Sequence, residues 1–440
     1  MFEKVKLKAV TILHFTFIGF LSFFLLSCSI SKQISRKANN ILLKDTAIRS
    51  GQIGISIYEP DAGKYWYGHN ADKYFVPASN TKLFTLYAGM KFLGDSIIGL
   101  KYFEPDDTTT IIQPTGDPTF LHPAFKSQNV FSYLKRKNKI FRLSTIDFEY
   151  LGKGWAWDDF KEYYMAQRSD FPIYGNTISI KRINKDSINV MPDVFQKNIK
   201  KTEPLITGFE IIKSWDNNER ILLYNGNRQS IEIPFRPDML TINYLLEDTL
   251  QKKIDTGFSG NQFKVFNIIH SQKSDSLFKI MMYTSDNFFA EQTLLMASNA
   301  HLGYMNDKMM ISYLLDTTLA GSPQRPVWVD GSGLSRYNMF TPQSLVYILI
   351  KLKTEFGFTR IKNILPTGGT GTLKTLYIAD SSFIYAKTGT LTSHVALSGY
   401  LITKKNKLLL FSIIANHFPT AATPVRKAIE KFLKGIREKY

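Results

Sequence analysis

Residues 77–94 read PASNTKLFTLYAGMKFLG, and this stretch decides how the rest of the 440-residue chain is interpreted. Its apolar side chains follow helical spacing: Leu83, Leu86, Tyr87, Met90 and Leu93. We therefore predict a largely buried helix that ends at Gly94. Ser79 lies near its start, and Lys82 follows three residues later on the same helix face, within reach of the serine hydroxyl.

Two more short motifs follow in the chain. Ser285-Asp286-Asn287 lies about 200 residues after Ser79, in a region (274–300) with helical patterning, and Lys387-Thr388-Gly389-Thr390 comes at the end of a predicted strand. Each motif alone is a weak signal, because S-x-x-K arises by chance in a chain of this length. All three in this order and in these contexts predict one hydrolytic site.

The residue types suit nucleophilic catalysis. A serine hydroxyl is a poor nucleophile near neutral pH, so a base must take its proton as it attacks. Lys82 can be that base only if its pKa falls from about 10.4 toward 7 or 8, which burial and a neighbouring cation would achieve. Lys387 is the candidate cation, expected to stay protonated and to attract an anionic substrate terminus.

The two ends of the chain are predicted to share one sheet. Alternating apolar residues at 52–58 and 65–67 predict a hairpin, and residues 383–387, 396–403 and 408–415 predict antiparallel strands. Thr423-Pro424 predicts the start of a terminal helix, and residues 341–354 predict another. We expect an α+β domain, an antiparallel sheet flanked by helices, made of residues 45–102 and 259–440, with a mainly β module inserted at 103–258.

The N-terminal residues predict export. Residues 1–27 combine a basic start with an uncharged run from 9 to 26, which is typical of a secretory signal. Leu25-Leu26-Ser27-Cys28 resembles a bacterial lipobox, so Cys28 is the predicted lipidation site. Residues 28–44 are then a polar tether, and the protein is lipid-anchored to a bacterial membrane, facing the periplasm or cell wall. An uncleaved transmembrane anchor is the alternative.

These motifs resemble the penicillin-recognising serine hydrolases, and within them the S13 family of D-alanyl-D-alanine carboxypeptidases, the penicillin-binding protein 4 type. The resemblance extends from about residue 45 to the C-terminus. Further segments similar to that family are 116–119 (GDPT), 154–159 (GWAWDD), 285–291 (SDNFFAE), 330–336 (DGSGLSR) and 365–366 (LP). It implies a β-lactamase/transpeptidase-like fold and an acyl-enzyme on Ser79.

The resemblance also implies roles at the site. Ser285 would pass the proton to the leaving amine, and Asn287 would hold Lys82 and a substrate amide, or else serve only as a turn or capping residue. Gly389 would leave a strand edge bare for an extended peptide. The hydroxyls of Thr388 and Thr390 would meet the substrate carboxylate, and the backbone N–H groups of Ser79 and Thr390 would form the oxyanion hole.

Two subsite residues are implied less directly. Asp159 and Arg336 would line the cleft for the side chain of the third stem-peptide residue, or would simply form a surface ion pair. Trp155 and Trp157 alternate as strand residues do, which favours core packing over a sugar-binding platform.

Composition narrows the choice of partners. The single cysteine excludes an intramolecular disulfide, and the seven histidines lack metal-ligand spacing, so we predict no metal and no cofactor. The net charge of +18 suits anionic wall polymers or lipid, and no basic cluster with interleaved aromatics indicates nucleic acid. The expected partners are peptidoglycan peptides, with β-lactam antibiotics as inhibitors, and the oligomeric state stays open. Alternatives are a β-lactamase or esterase of the same fold, or a non-catalytic wall-binding or β-lactam-sensing lipoprotein.

Overall fold

The computed structural model describes residues 30–143, 147–215, 218, 221–256 and 266–440. The predicted signal segment and Cys28 lie outside these residues. Among the helices of the described part, none is both long enough and apolar enough to cross a membrane.

The secondary structure of the described residues is mixed. The α-helices, in chain order, are α1 (residues 30–38), α2 (Lys82–Phe92), α3 (Asn129–Arg136), α4 (Met239–Leu250), α5 (Ser274–Tyr283), α6 (Asn287–Leu302), α7 (Asp307–Asp316), α8 (Pro342–Phe356), α9 (Phe358–Ile364) and α10 (Ala422–Lys439). The strands are β1 (Gln52–Glu59), β2 (Lys64–His69), β3 (Ser96–Phe103), β4 (Thr109–Gln113), β5 (Lys139–Arg142), β6 (Thr177–Arg182), β7 (Ile188–Met191), β8 (Ile199–Lys201), β9 (Phe209–Lys213), β10 (Ile221–Asn225), β11 (Ser230–Pro234), β12 (Ile254–Asp255), β13 (Asn267–Lys273), β14 (Ile384–Leu391), β15 (His394–Ile402) and β16 (Leu408–Asn416).

Both chain ends build the catalytic sheet, as predicted. Its order is β14-β15-β16-β1-β2, and every neighbouring pair is antiparallel. The side chains of β16 are buried on both faces, which is why this strand reads as a continuous apolar run. One face packs against α2, α5, α6 and α8, and the other packs against α10 and α1. The predicted fold class is therefore confirmed.

Helix α2 lies in the middle of the larger core. All its residues from Lys82 to Met90 are buried, so it has no polar face and must be covered on every side. Phe84 packs edge-on against Trp328 and Phe340, with ring centroids 5.5 and 4.7 Å apart. A short 3₁₀ turn, Ala78–Thr81, precedes α2 and carries Ser79.

The helical region predicted at 274–300 is two helices. Helix α5 ends before Thr284, and Ser285 adopts a left-handed backbone conformation with φ 61°. Asp286 then caps α6, because its carboxylate accepts a hydrogen bond of 2.8 Å from the Phe289 N–H. The terminal helix α10 begins at Ala422, slightly earlier than the predicted start at Pro424.

The inserted module is larger than predicted. Its five-stranded sheet has the order β12-β5-β4-β3-β13, so it includes β3 and β13, which lie outside the predicted limits of 103–258. The module therefore spans Ser96 to Lys273. Its two smaller sheets, β8-β10-β9 and β11-β6-β7, share one apolar core with the larger sheet, and its mainly β character is as expected. The turn-forming residues Gly94 and Asp95 precede β3, but no feature of the sequence shows that this strand pairs with the inserted module.

The predicted tether is wrong for residues 30–44. Helix α1 continues into a π-helical turn at Asn39–Leu43, and this segment packs on the core beside α10. Ile34, Ala38 and Leu42 are buried at intervals of four residues, which puts them on one helix face. This stripe is only one residue wide per turn, so the polar residues around it hide it in the sequence.

A buried polar network joins the inserted module to the catalytic helices. The Arg168 guanidinium lies 2.9 Å from both Glu291 on α6 and Asp307 on α7. The Gln292 side chain bonds the backbone of Ser169 and the carbonyl of Gly116. Because removing one member would leave a buried charge or amide unpaired, this network fixes the module against α6, the helix that begins at Asn287.

Candidate active site

The structure brings the Ser79 hydroxyl and the Lys82 amine together at the start of α2. Lys82 Nζ lies 3.0 Å from Ser79 Oγ, 2.6 Å from Asn287 Oδ1 and 2.7 Å from the carbonyl oxygen of Ser332. The Lys82 side chain is completely buried, whereas Ser79 remains partly exposed. A substrate can therefore reach the hydroxyl while the amine stays shielded from water.

This geometry suits a lysine that gives up its proton. An ammonium group has three N–H donors, which match the three acceptors around Nζ. A neutral amine would keep two donors for Asn287 and Ser332 and turn its lone pair to the Ser79 hydroxyl. Burial lowers the pKa of Lys82 to about 8, although the carboxylates of Asp330, Asp286 and Glu291 oppose the shift. A useful fraction of the amine is then neutral near physiological pH.

Lys387 reaches the same site from β14. Its amine donates to Ser285 Oγ at 2.8 Å and to the carbonyl oxygen of Thr388 at 2.8 Å. Burial lowers the pKa of Lys387 well below its ordinary range, and the Lys82 ammonium lowers it further. Both effects act against the charged form of Lys387, and its expected protonated state stays a prediction.

The segment around Asn287 sits between Lys82 and the inserted module. Asn287 accepts from Lys82 through Oδ1 and donates through Nδ2 to the carbonyl oxygen of Tyr164 at 3.1 Å. Asp286 caps α6. The alternative that Asn287 serves only as a capping residue is therefore wrong. Within the described residues, Asn287 Nδ2 donates only to Tyr164, and its contact with a substrate amide stays a prediction.

Strand β14 passes very close to the nucleophile at Gly389. A Cβ at this position would lie 2.7 Å from the carbonyl oxygen of Pro77 and 3.0 Å from the backbone nitrogen of Ser79. Any larger residue would push the strand away, so Gly389 holds the Thr390 backbone beside the Ser79 backbone. This is a tighter requirement than the bare strand edge that the sequence suggested.

The outer edge of β14 is open next to this contact. At the start of β14 this edge is covered. The Ala386 N–H donates to the carbonyl of Pro366, and Tyr385 forms an isolated β-bridge with Thr367. From Lys387 to Leu391, among the described residues, only β15 forms backbone hydrogen bonds with the strand. An extended peptide could add to this free edge.

The sequence analysis missed the residues that hold the carbonyl under Lys82. The N–H of Ser332 donates to the buried Glu291 carboxylate at 2.7 Å, while its carbonyl accepts from Lys82. Asp330 accepts from the N–H groups of Gly333 and Ser335 at 2.8 and 2.6 Å, which folds the loop over α2. Both acids lie in segments that the family resemblance had marked, but nothing in the sequence pointed to this role.

Asp159 and Arg336 lie at the border of the site. Burial, followed by the Asp159 carboxylate, raises the pKa of Tyr164 to about 12, and the two side chains are hydrogen-bonded. Arg336 is exposed, and after burial itself its charge is one of the causes that lower the pKa of the buried His394. In the described residues no salt bridge links Asp159 to Arg336. Their subsite role stays a prediction.

The two tryptophans of this segment differ. The Trp155 indole N–H donates to Asp330 at 2.9 Å, so this side chain supports the loop over α2. Trp157 is 78% exposed at the start of a 3₁₀ turn, so the predicted core packing is wrong for it. The alternation that suggested a strand arises in a turn.

In the part of the chain that the structure describes, no group of three or more His, Cys, Asp or Glu side chains lies close enough together to hold a metal ion.

Most of the chain matches one known protein family. The model of the D-Ala-D-Ala carboxypeptidase 3 (S13) family matches residues 35–200 and 245–436. The chain belongs to the S13 family. It is accordingly a serine-type D-Ala-D-Ala carboxypeptidase, a hydrolase, as the sequence predicted.

Individual relatives agree with this S13 assignment. The chain is 26% identical to penicillin-sensitive carboxypeptidase A of Dictyostelium discoideum, over 86% of this chain and 85% of the relative. Among solved structures, penicillin-binding protein 4 of Haemophilus influenzae covers 92% of this chain and 99% of its own, with a TM-score of 0.73 and 16% identity. A predatory peptidoglycan endopeptidase of Bdellovibrio bacteriovorus covers 88% and 92%, with a TM-score of 0.53 and 13% identity. These structural similarities show the fold.

The close approach at Gly389 yields a testable prediction. Gly389→Ala would force β14 away from Ser79, because the atoms it meets are backbone atoms that cannot yield without moving the 3₁₀ turn. We expect D-alanine release to fall about 100-fold, the loss typical of a displacement of about 1 Å at a reacting group. The measurement is kcat/KM on a D-Ala-D-Ala peptide.

Gly68→Ala is the matched control, because Gly68 lies in the opposite edge strand, β2, where an added Cβ would meet only the Ala71 methyl at 3.4 Å. This variant should retain wild-type activity. A Gly389→Ala enzyme as active as the control would show that the contact with Pro77 and Ser79 does not set the geometry of the site.

Proposed function

We propose that this enzyme cleaves the D-Ala-D-Ala bond of peptidoglycan stem peptides through an acyl-enzyme on Ser79. The observation that carries the proposal is the contact between the Ser79 hydroxyl and a buried lysine amine whose pKa is lowered to about 8. A buried amine of this kind is matched to general-base work near neutral pH. Membership of the S13 family supplies the substrate class.

Each step of acylation and deacylation is carried out by particular groups of the site. Lys82 takes the proton of Ser79 as Oγ attacks the carbonyl carbon, and the backbone N–H groups of Ser79 and Thr390 stabilise the oxyanion. Ser285, bonded to Lys387, passes a proton to the leaving amine of the terminal D-alanine and regains one from the Lys82 ammonium, which leaves Lys82 neutral again. Water then hydrolyses the ester on Ser79, with Lys82 again acting as the base. Thr388 would contact the substrate carboxylate.

Cleavage of cross-links would use the same steps. The edge of β14 from Lys387 to Leu391 is open to an extended peptide, and DD-endopeptidase activity on cross-linked stems is part of the proposal. β-Lactams would acylate the same serine as inhibitors, and the Haemophilus influenzae relative has been solved in complex with a β-lactam.

Two other functions compete with this one. A β-lactamase or esterase needs rapid deacylation, whereas the base that the site offers for that step is the same Lys82 that serves acylation. A non-catalytic wall-binding or β-lactam-sensing protein would have no use for an amine held 3.0 Å from the Ser79 hydroxyl. Both are outcomes of the test below.

The decisive experiment is digestion of purified muropeptides, with products identified by mass spectrometry. We expect release of free D-alanine from pentapeptide stems, conversion of cross-linked dimers to monomers, and loss of both activities in Ser79→Ala. Ser312→Ala, an exposed serine on α7, is the control and should match the wild type. Release of neither product by the wild type would defeat the enzymatic proposal.

Fluorescent penicillin separates the peptidase from the lactamase. A label that stays on Ser79 for many minutes supports the peptidase, and rapid turnover of the drug without a stable label would instead establish a lactamase.

We also propose that the enzyme is exported and anchored through a lipid on Cys28. The support is the lipobox-like Leu25-Leu26-Ser27-Cys28 after an uncharged run. Because residues 30–43 are helical and pack on the catalytic domain, only Cys28 and Ser29 would separate the lipid from folded structure. The enzyme would then act close to the membrane surface, to which its net positive charge is suited.

Metabolic labelling with a palmitate analogue tests the anchor. Wild-type protein expressed in bacteria should incorporate the label and fractionate with membranes, whereas Cys28→Ser should do neither. Equal labelling of both proteins would refute lipidation at Cys28.

A further inference from the structure

An arginine outside the three motifs contacts the strand that would bind substrate. Arg426 lies in the second turn of α10, the helix packed under β14 and β15, and its Nη2 donates to Thr390 Oγ1 at 2.5 Å. Arg426 and Thr388 also line one shallow cleft. Thr388 and Thr390 are two residues apart on a strand, so their side chains share a face, and the guanidinium contacts Thr390 on that face.

The Arg426 charge is uncompensated in the free enzyme. The side chain is about half-buried, and its pKa is lowered by that burial. No carboxylate of the described residues forms a salt bridge with it. A partly desolvated guanidinium that has only a neutral hydroxyl for a partner is well placed to bind an anion.

Covalent geometry limits where the substrate carboxylate can be. In a peptide that ends in D-Ala-D-Ala, three bonds join the attacked carbonyl carbon to the carboxylate carbon, so the two lie within about 4 Å of each other. The attacked carbonyl must lie at Ser79 Oγ, and Gly389 holds β14 against the Ser79 backbone. The carboxylate is thereby confined to the surroundings of Gly389 and Thr390, which Arg426 reaches.

Lys387 is a poor candidate for this charge. Its side chain is completely buried, and its amine is bonded to Ser285 and to the carbonyl of Thr388. The carboxylate needs a cation on the exposed side of β14, and Arg426 is there.

We propose that Arg426 binds the terminal carboxylate of the substrate, at a position fixed by the Thr390 hydroxyl. The inference rests on the proposed function, since it requires a substrate with its scissile carbonyl at Ser79. It assigns Arg426 as a specificity-determining residue that selects peptides with a free carboxylate next to the scissile bond.

The test compares an acyl-D-Ala-D-Ala peptide with its C-terminal amide. Arg426→Gln should lower kcat/KM for the free acid by about 10- to 100-fold, the effect of losing a charge-assisted hydrogen bond, and leave the rate on the amide unchanged. Lys427→Gln removes an exposed charge from the adjacent position of the same helix and should alter neither rate. Arg426→Lys should restore part of the preference for the acid.

An Arg426→Gln enzyme that retains the wild-type ratio of acid to amide hydrolysis would overturn the proposal. An unchanged rate on the amide also shows that the variant is folded, so a loss confined to the acid cannot be structural.

Acylation by benzylpenicillin is an independent readout, because its carboxylate is also three bonds from the attacked carbonyl carbon. Here too Arg426→Gln should slow acylation about 10- to 100-fold. If the wild-type enzyme is acylated but releases no D-alanine, the peptidase function is refuted, while the proposed role of Arg426 in binding a carboxylate still stands. Equal acylation rates in wild type and Arg426→Gln would refute the role of Arg426 alone.

Discussion

The buried amine of Lys82 is the point on which the whole site depends. Its three hydrogen-bond partners come from the 3₁₀ turn before α2, from the start of α6 and from the loop after Trp328. A charged group can be kept out of water only if its bonds are satisfied, so these three elements must be correctly packed before the amine can be buried. Burial in turn lowers its pKa and makes it useful as a base.

The rest of the fold can be understood as support for that amine. The sheet built from both chain ends carries Gly389 against the backbone of Ser79, which aligns the strand edge with the nucleophile. The inserted module contributes Arg168, which forms a salt bridge with Glu291. Glu291 in turn accepts a hydrogen bond from the Ser332 N–H, and the Ser332 carbonyl accepts one from Lys82. A module that begins at Ser96 and ends at Lys273 is thus linked to the reacting groups by a short series of buried bonds.

The sequence predicted the parts of this arrangement that rest on local pattern. The stripe of apolar residues after Ser79 predicts the central helix, and three motifs predict the meeting of Ser79, Lys82, Ser285, Asn287 and Lys387. The lowered pKa of Lys82 was predicted from burial, whereas the opposing carboxylates of Asp330 and Glu291 were not, because they are distant in the chain. No feature of the sequence distinguishes Arg426 from the other basic residues of α10. The helix at 30–38 was missed because its buried stripe is so narrow.

The most direct test of the central claim is a titration of the Lys82 amine itself. In protein labelled with ¹³C-lysine, the Cε resonance that disappears in Lys82→Arg can be followed by NMR from pH 6 to 11. The account predicts a midpoint at about 8. The amine would be charged below that pH and neutral above it, so the capacity of Lys82 to deprotonate Ser79 should rise as the pH passes through that value. A midpoint near the ordinary lysine value of about 10.4 would contradict the account, because Lys82 would then stay protonated at neutral pH.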